Sequence, residues 1–294
     1  MSTKWKPNPL SMETPVNLKK RRIADVPPGA ENPLAFAVSR RDGSVLDMVA
    51  QAIRHKQTLL AFQPVVLSRD PSRIGFYEGL IRITDETGRV IPARDFMNAV
   101  EATELGREID VLALQMGLRA LHETPHLRLS INMSARSIGF TKWTRTLQRW
   151  LDRDPTIAER LILEITEGSA MTVPELVIDF MDRWQVRGIC FALDDFGSGQ
   201  TALRYFKEFF FDILKIDGQF VSGIATDADN RALVRSMVAI AQHFDMMTVA
   251  EFVETKADAD VLASLGVDCL QGYLHGAPTT RPGWKTPAEI RAAG

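Results

Sequence analysis

The chain has 294 residues, 45% of them hydrophobic, enough for one large core or for a barrel domain with a short extension. Its 35 Lys and Arg nearly balance 37 Asp and Glu, leaving a formal net charge of −2, so the charge balance gives no support to non-specific nucleic-acid binding. No apolar run approaches the roughly 20 residues that span a bilayer, and the polar start has no apolar signal-peptide core behind it, so a cytoplasmic protein without a transmembrane segment is expected.

Residues 1–44 are expected to be a flexible N-terminal extension. They hold Pro7, Pro9, Pro15, Pro27, Pro28 and Pro33, the basic run Lys19-Lys20-Arg21-Arg22, and little apolar periodicity. The basic run reads as a solvated tail, with contact to RNA, an acidic protein partner or an anionic membrane surface as the sharper alternatives. Residues 45–294 are globular in texture. A helical pattern runs from Val45 to His55. Then β-branched, nearly all-apolar strands alternate with amphipathic stretches. The strands are expected at Leu59–Val66, Gly75–Ile83, Leu127–Asn132, Leu161–Ile165, Cys190–Asp194, Ile213–Ile216, Met246–Ala250 and Cys269–Leu270. Helices are expected at Ala93–Glu101, Asp110–His122, Pro174–Arg187, Asn230–Phe244 and Ala257–Leu265, with Gly188 and Gly266 as C-terminal caps. Cys190 and Cys269, in apolar stretches, read as buried reduced thiols. Strands buried on both faces and alternating with helices imply an α/β fold with a mostly parallel sheet. About eight of them suit a (β/α)₈ barrel. A doubly wound open sheet is the alternative, weakened by the lack of a glycine-rich loop after any strand.

The strand ends carry the chemistry. Glu78, Asn132, Glu164, Asp194-Asp195, Lys215, Glu251 and Gln271 each lie within or just after an apolar strand. Singly, an Asp there caps a helix, a Lys reaches for solvent and an Asn turns the chain. Together they put a polar group on seven strands, and burying such groups costs several kcal/mol each unless they are paired or metal-bound. In a parallel barrel these ends meet at one mouth. Five carboxylates there cannot all ionise without cations, and oxygen ligands suit Mg²⁺ or Mn²⁺. Two such ions suit phosphodiester hydrolysis.

Eight segments in order resemble the motifs of the EAL-domain family of cyclic di-GMP phosphodiesterases. They are Phe62-Gln63-Pro64-Val65-Val66, Tyr77-Glu78-Gly79-Leu80-Ile81-Arg82, Ile131-Asn132-Met133-Ser134, Leu163-Glu164-Ile165-Thr166-Glu167, Leu193-Asp194-Asp195-Phe196-Gly197-Ser198-Gly199, Leu214-Lys215-Ile216-Asp217, Ala250-Glu251-Phe252-Val253-Glu254 and Leu270-Gln271-Gly272-Tyr273-Leu274. The resemblance implies a modified TIM-like (β/α)₈ barrel whose first strand is antiparallel, and hydrolysis of cyclic di-GMP to linear pGpG with two metal ions. It implies that Glu78, Asn132, Glu164 and Asp194 hold the first ion, and that Asp194 bridges to the second beside Asp195 and Glu251. Lys215 and Glu251 would orient and activate water, Gln271 would support it, and Gln63 and Arg82 would contact substrate. Asp195-Phe196-Gly197-Ser198-Gly199 matches a mobile loop braced by Glu167, and a homodimer is implied. The alternative is a catalytically weak cyclic di-GMP receptor acting through a protein partner.

The chain departs from the pattern at three places. Gly79 stands where the family has alanine, a change expected to cost little. Gln200-Thr201-Ala202 replaces the usual Tyr-Ser-Ser, which would weaken loop packing or dimer coupling. Phe252 stands where glycine is usual, and either displaces Glu251 or points away from the site.

Overall fold

The computed structural model describes residues 33–199 and 203–284, so the basic run and Gln200-Thr201-Ala202 lie outside the described residues. The chain divides into two compact units, Met1–Ser44 and Val45–Gly294. Helix α1 spans Pro33–Arg54 and so begins well before Val45, with a proline at its start, where the missing N–H is not needed.

In the second unit, β1 (Thr58–Leu67) and β2 (Asp70–Thr84) form a long antiparallel hairpin. The short β3 (Val90–Pro92) pairs only with β2. After a 3₁₀ turn come α2 (Met97–Val100), α3 (Glu104–Glu123), β4 (Leu129–Asn132) and α4 (Thr141–Arg153). Next are β5 (Leu161–Thr166), α5 (Glu167–Thr172), α6 (Pro174–Gln185) and β6 (Cys190–Phe196). The chain continues through β7 (Ile213–Ile216), α7 (Gly218–Val221), α8 (Ala228–His243), β8 (Met247–Ala250), α9 (Lys256–Ser264) and β9 (Cys269–Gln271).

The strands follow the order β1-β9-β8-β7-β6-β5-β4-β2-β3, and the β1–β2 pairing closes eight of them into a barrel with β3 outside. β1 is antiparallel to both β2 and β9, whereas the other barrel contacts are parallel. The open-sheet alternative is thereby excluded. Gly188 and Gly266 adopt φ of +97° and +88°, the left-handed conformation of a helix end. The expected helix at Ala93–Glu101 is instead a 3₁₀ turn, Ala93–Asp95, and the short α2, interrupted at Phe96, whose φ of −134° leaves the helical region.

Residues two apart on a strand share a face, and the barrel interior uses this twice. Val65, Phe76, Ile162, Ala192, Ile213, Val249 and Cys269 form a buried apolar cluster, and Ser130 is the corresponding residue on β4. Two positions from each of these lie Gln63, Glu78, Glu164, Asp194, Lys215, Glu251, Gln271 and Asn132 respectively. Each barrel strand, or the residue just after it, thus supplies one apolar or small group below and one polar group above.

Candidate active site

Lys215 is completely buried at the centre of the polar set. Its Nζ donates to Glu164 Oε2 at 2.8 Å, lies 2.9 Å from both Asp194 Oδ1 and Glu251 Oε1, and 3.5 Å from Glu78 Oε2. Asp194 Oδ1 faces Nζ as an ion pair outside hydrogen-bonding geometry. Glu78 Oε1 accepts from Asn132 Nδ2 at 2.7 Å, and Oε2 accepts from Gln271 Nε2 at 2.5 Å. Gln271 Nε2 also reaches Gln63 Oε1 at 3.2 Å, and Gln63 Nε2 donates to the Gly276 carbonyl at 3.1 Å. The structure therefore brings Gln63, Glu78, Asn132, Glu164, Asp194, Lys215, Glu251 and Gln271 into one network.

The electrostatics follow from four carboxylates meeting one ammonium, a formal charge of −3 when all are ionised. Burial alone would lower the Lys215 pKa, but Asp194, Glu164, Glu251 and Glu78 together hold it well above the ordinary lysine range. Burial pushes Glu78 up, yet Lys215, Gln271 and Asn132 outweigh it and leave the pKa below the usual value. Glu164 is pushed up to about 8 by burial and by Glu78. Glu251 lies well above the usual carboxylate range through burial, with Lys215 only partly offsetting it. Asp195 is half-buried, and burial and Asp194 raise its pKa to about 6.

The donor set fits a hard divalent cation. Every anionic group is an oxygen ligand, Glu164 Oε1 is buried with no hydrogen-bond partner, and carboxylate oxygens of Asp194, Asp195 and Glu251 lie within 4.8 Å of one another. A divalent ion would offset charge that Lys215 alone does not.

Asp195 takes a φ of +55°, which turns the chain sharply as β6 ends. Phe196 is buried behind it, and the Ser198 hydroxyl and N–H both donate to the Asp195 carbonyl, at 2.8 and 3.1 Å. Glu167, fully buried at the start of α5, accepts from the Gly197 N–H at 2.7 Å. A Cβ at Gly199 would stand 3.1 Å from Glu167 Oε1, so the loop backbone lies close against this carboxylate. Arg82 is on the Glu78 face of β2, four residues nearer the mouth, and Nη1 donates to the Ile81 carbonyl at 2.9 Å. Burial lowers its pKa, with Glu78 opposing.

Two of the departures resolve structurally. Phe252 has a φ of +54°, its side chain is exposed, and it packs on Gly218. It points away from the carboxylates, and Glu251 stays on Lys215. Gly79 leaves Glu78 in place, and Ile131 fills the space that a methyl would take.

Asp110 was missed. It is buried on α3, where its Oδ2 accepts from the Ser137 hydroxyl at 2.5 Å and the Ser134 N–H at 3.1 Å, clamping the chain just after Asn132. Burial raises its pKa to about 7. Its signal was a carboxylate four residues after Gly106 and four before Leu114, on the buried face of a helix.

Residues 46–278 match the family model described as EAL domain. The cyclic di-GMP phosphodiesterase PdeB of Shewanella oneidensis is 31% identical over 249 residues, 83% of this chain and 29% of that protein. The cyclic di-GMP phosphodiesterase PdeF of Escherichia coli is 29% identical over 239 residues, 80% of this chain and 32% of that protein. The chain thus spans about a third of the length of these relatives. Among solved structures, the PaMucR phosphodiesterase in a c-di-GMP complex superposes with a TM-score of 0.73 at 29% identity, covering 80% of this chain and 97% of that one. The FimX EAL domain from Pseudomonas aeruginosa bound to c-di-GMP shares the fold, with a TM-score of 0.74 at 23% identity over 81% of this chain and 98% of that one.

Proposed function

The chain belongs to the EAL-domain family, and on that premise we propose that it hydrolyses cyclic di-GMP to linear pGpG with two divalent ions, Mg²⁺ or Mn²⁺. The observation that carries this reading is the buried network of four carboxylates around Lys215 at the carboxyl ends of the barrel strands, the end where barrel enzymes place their chemistry. The relatives named as cyclic di-GMP phosphodiesterases supply the substrate. Glu78, Asn132, Glu164 and Asp194 would hold one ion, and Asp194, Asp195 and Glu251 the other. When bound, such ions polarise a phosphoryl oxygen and lower the pKa of water.

The chain's own groups do the rest. Lys215 stays protonated, so it serves as a fixed positive charge that orients the attacking water and balances the developing phosphorane charge, and not as a nucleophile. Glu251, ionised where it faces a bound cation, would take a proton from that water. Water oxygen bonds to phosphorus, the P–O3′ bond breaks, the leaving O3′ takes a proton from solvent water, and the ring opens to a 5′-phosphate and a 3′-hydroxyl. Gln271 steadies Glu78 and supports the water. Gln63 and the forked guanidinium of Arg82 hold substrate at the mouth. Glu167, through Gly197, couples the loop Asp195–Gly199 to the ligands. The same reading carries a cytoplasmic homodimer, with residues 1–44 as an extension open to a protein partner.

The test is hydrolysis by the purified chain with Mg²⁺ and with Mn²⁺, following pGpG, beside Glu78→Ala. Metal-dependent product lost in the variant is expected. Binding of the dinucleotide with no product under either metal would overturn the enzyme and leave a receptor.

A further inference from the structure

Phe252 is a costly residue where it stands. A φ of +54° suits glycine and disfavours a bulky side chain, and the ring is 60% exposed. Its backbone is nonetheless held on both sides. The preceding Glu251 turns inward to within 2.9 Å of Lys215, and the following Val253 is fully buried, its N–H donating to the Gln271 carbonyl at 2.9 Å. The ring is carried outward instead, over the first residue of α7. A Cβ at Gly218 would stand 2.4 Å from Phe252 Cδ2 and 2.7 Å from Cγ, so the ring lies directly on glycine backbone. Supported by Gly218 and open to solvent elsewhere, it sits on the rim between the β7 and β8 ends, one residue from the carboxylate network.

We propose that Phe252 is a stacking shelf for one guanine base of the dinucleotide, setting affinity for a purine-bearing phosphodiester. This rests on the proposed reading, in which the scissile phosphate lies at the carboxylates. Each guanine of cyclic di-GMP is one sugar away from a phosphate. The polar network offers charge and hydrogen bonds, but no flat apolar surface for a base. An aromatic ring held by its backbone supplies that surface with little ordering left to do when the base arrives. Strain at an exposed residue beside a site is the pattern expected when the side chain serves a ligand.

The test compares wild type, F252G, F252L and F252Y in the full chain with Mg²⁺, measuring kcat and KM for cyclic di-GMP and the melting temperature. Stacking present in both ground and transition states predicts that F252G raises KM about tenfold with kcat within about twofold. F252Y should keep wild-type KM, F252L should resemble F252G, and F252G should melt no lower than wild type because the left-handed strain is gone. A KM for F252G within about twofold of wild type overturns the shelf, as does F252L matching F252Y. A fall in kcat at unchanged KM also overturns it, and assigns Phe252 to positioning Glu251. If wild type binds without turnover, the catalytic reading fails separately, and the same variants are compared by equilibrium dissociation constant with the same thresholds. If wild type does not bind the dinucleotide, both readings fall.

Discussion

Replacing Gly79 by the alanine usual in the family should destabilise this chain. The added Cβ would stand 2.6 Å from Ile131 Cδ1, 3.1 Å from Leu60 Cδ2 and 3.2 Å from the Ser130 carbonyl. Ile131 has little freedom to give way, because the same Cδ1 also lies 2.6 Å from where a Cβ on Gly117 of α3 would be. The methyl is lodged between two glycines, one on the strand and one on the helix, and Ile131 is almost wholly buried. Overpacking of this kind costs about 1–3 kcal/mol, and the usual gain of roughly 0.5–1 kcal/mol for alanine over glycine in a regular element offsets part of it. The net expectation for G79A is a loss of about 1–2 kcal/mol. Ile131→Val removes Cδ1 and alone should cost about 0.5–1.5 kcal/mol. The double variant should recover at least about 1 kcal/mol relative to the sum of the singles. Urea denaturation of the four proteins at one pH closes the cycle. Additive losses, or a G79A protein as stable as wild type, would refute the claim that Ile131 occupies the alanine's place.

Three further outcomes follow from the same structure. Lys215→Met leaves the buried carboxylates without their cation, so the metal-free variant should lose about 3–5 kcal/mol in denaturant titration. Added Mg²⁺ should recover more stability in it than in wild type if those carboxylates bind the ion. Asp110 carries a pKa of about 7 in the fold against an unfolded value near 3.8. The folded state therefore holds the extra proton, and this contribution to stability is present below about pH 4 and lost as pH rises through 7. Wild type minus Asp110→Asn stability should fall by up to about 4 kcal/mol across that window, and a flat difference would contradict the burial. Ser130 Oγ is buried without a partner beside the apolar cluster, so Ser130→Ala should raise stability by about 1 kcal/mol in the same assay.

The parts of the fold legible in the sequence were those governed by alternation. A polar residue two places beyond a buried apolar one, as in Ile162–Glu164, Ala192–Asp194 and Ile213–Lys215, marks an inward-facing strand end without tertiary knowledge. The antiparallel first strand came from resemblance alone, since periodicity carries no direction. Periodicity also failed where burial ended. The start of β2, from Asp70 to Ile74, is exposed, and its pairing is set by the hairpin partner rather than by an apolar face. β3 is three residues long and ends in a proline at a sheet edge. The direction of Phe252 and the filling of the Gly79 space depend on Gly218 and Ile131, residues distant in sequence. A clamp such as Asp110 becomes visible only when the chain after Asn132 is seen to lie across α3.

The paired interior of the barrel has a consequence for traffic. Directly beneath the carboxylates, Val65, Phe76, Ile162, Ala192, Ile213, Val249 and Cys269 form a dry plug with almost no exposed surface. Ions and protons gain nothing by crossing it, because an unpaired charge in such surroundings costs several kcal/mol. Among the described residues the apolar cluster closes the barrel beneath the carboxylates, and Arg82 and Phe252 stand on the mouth side of them. Ions and water then reach the carboxylates more readily from the mouth than through the apolar interior.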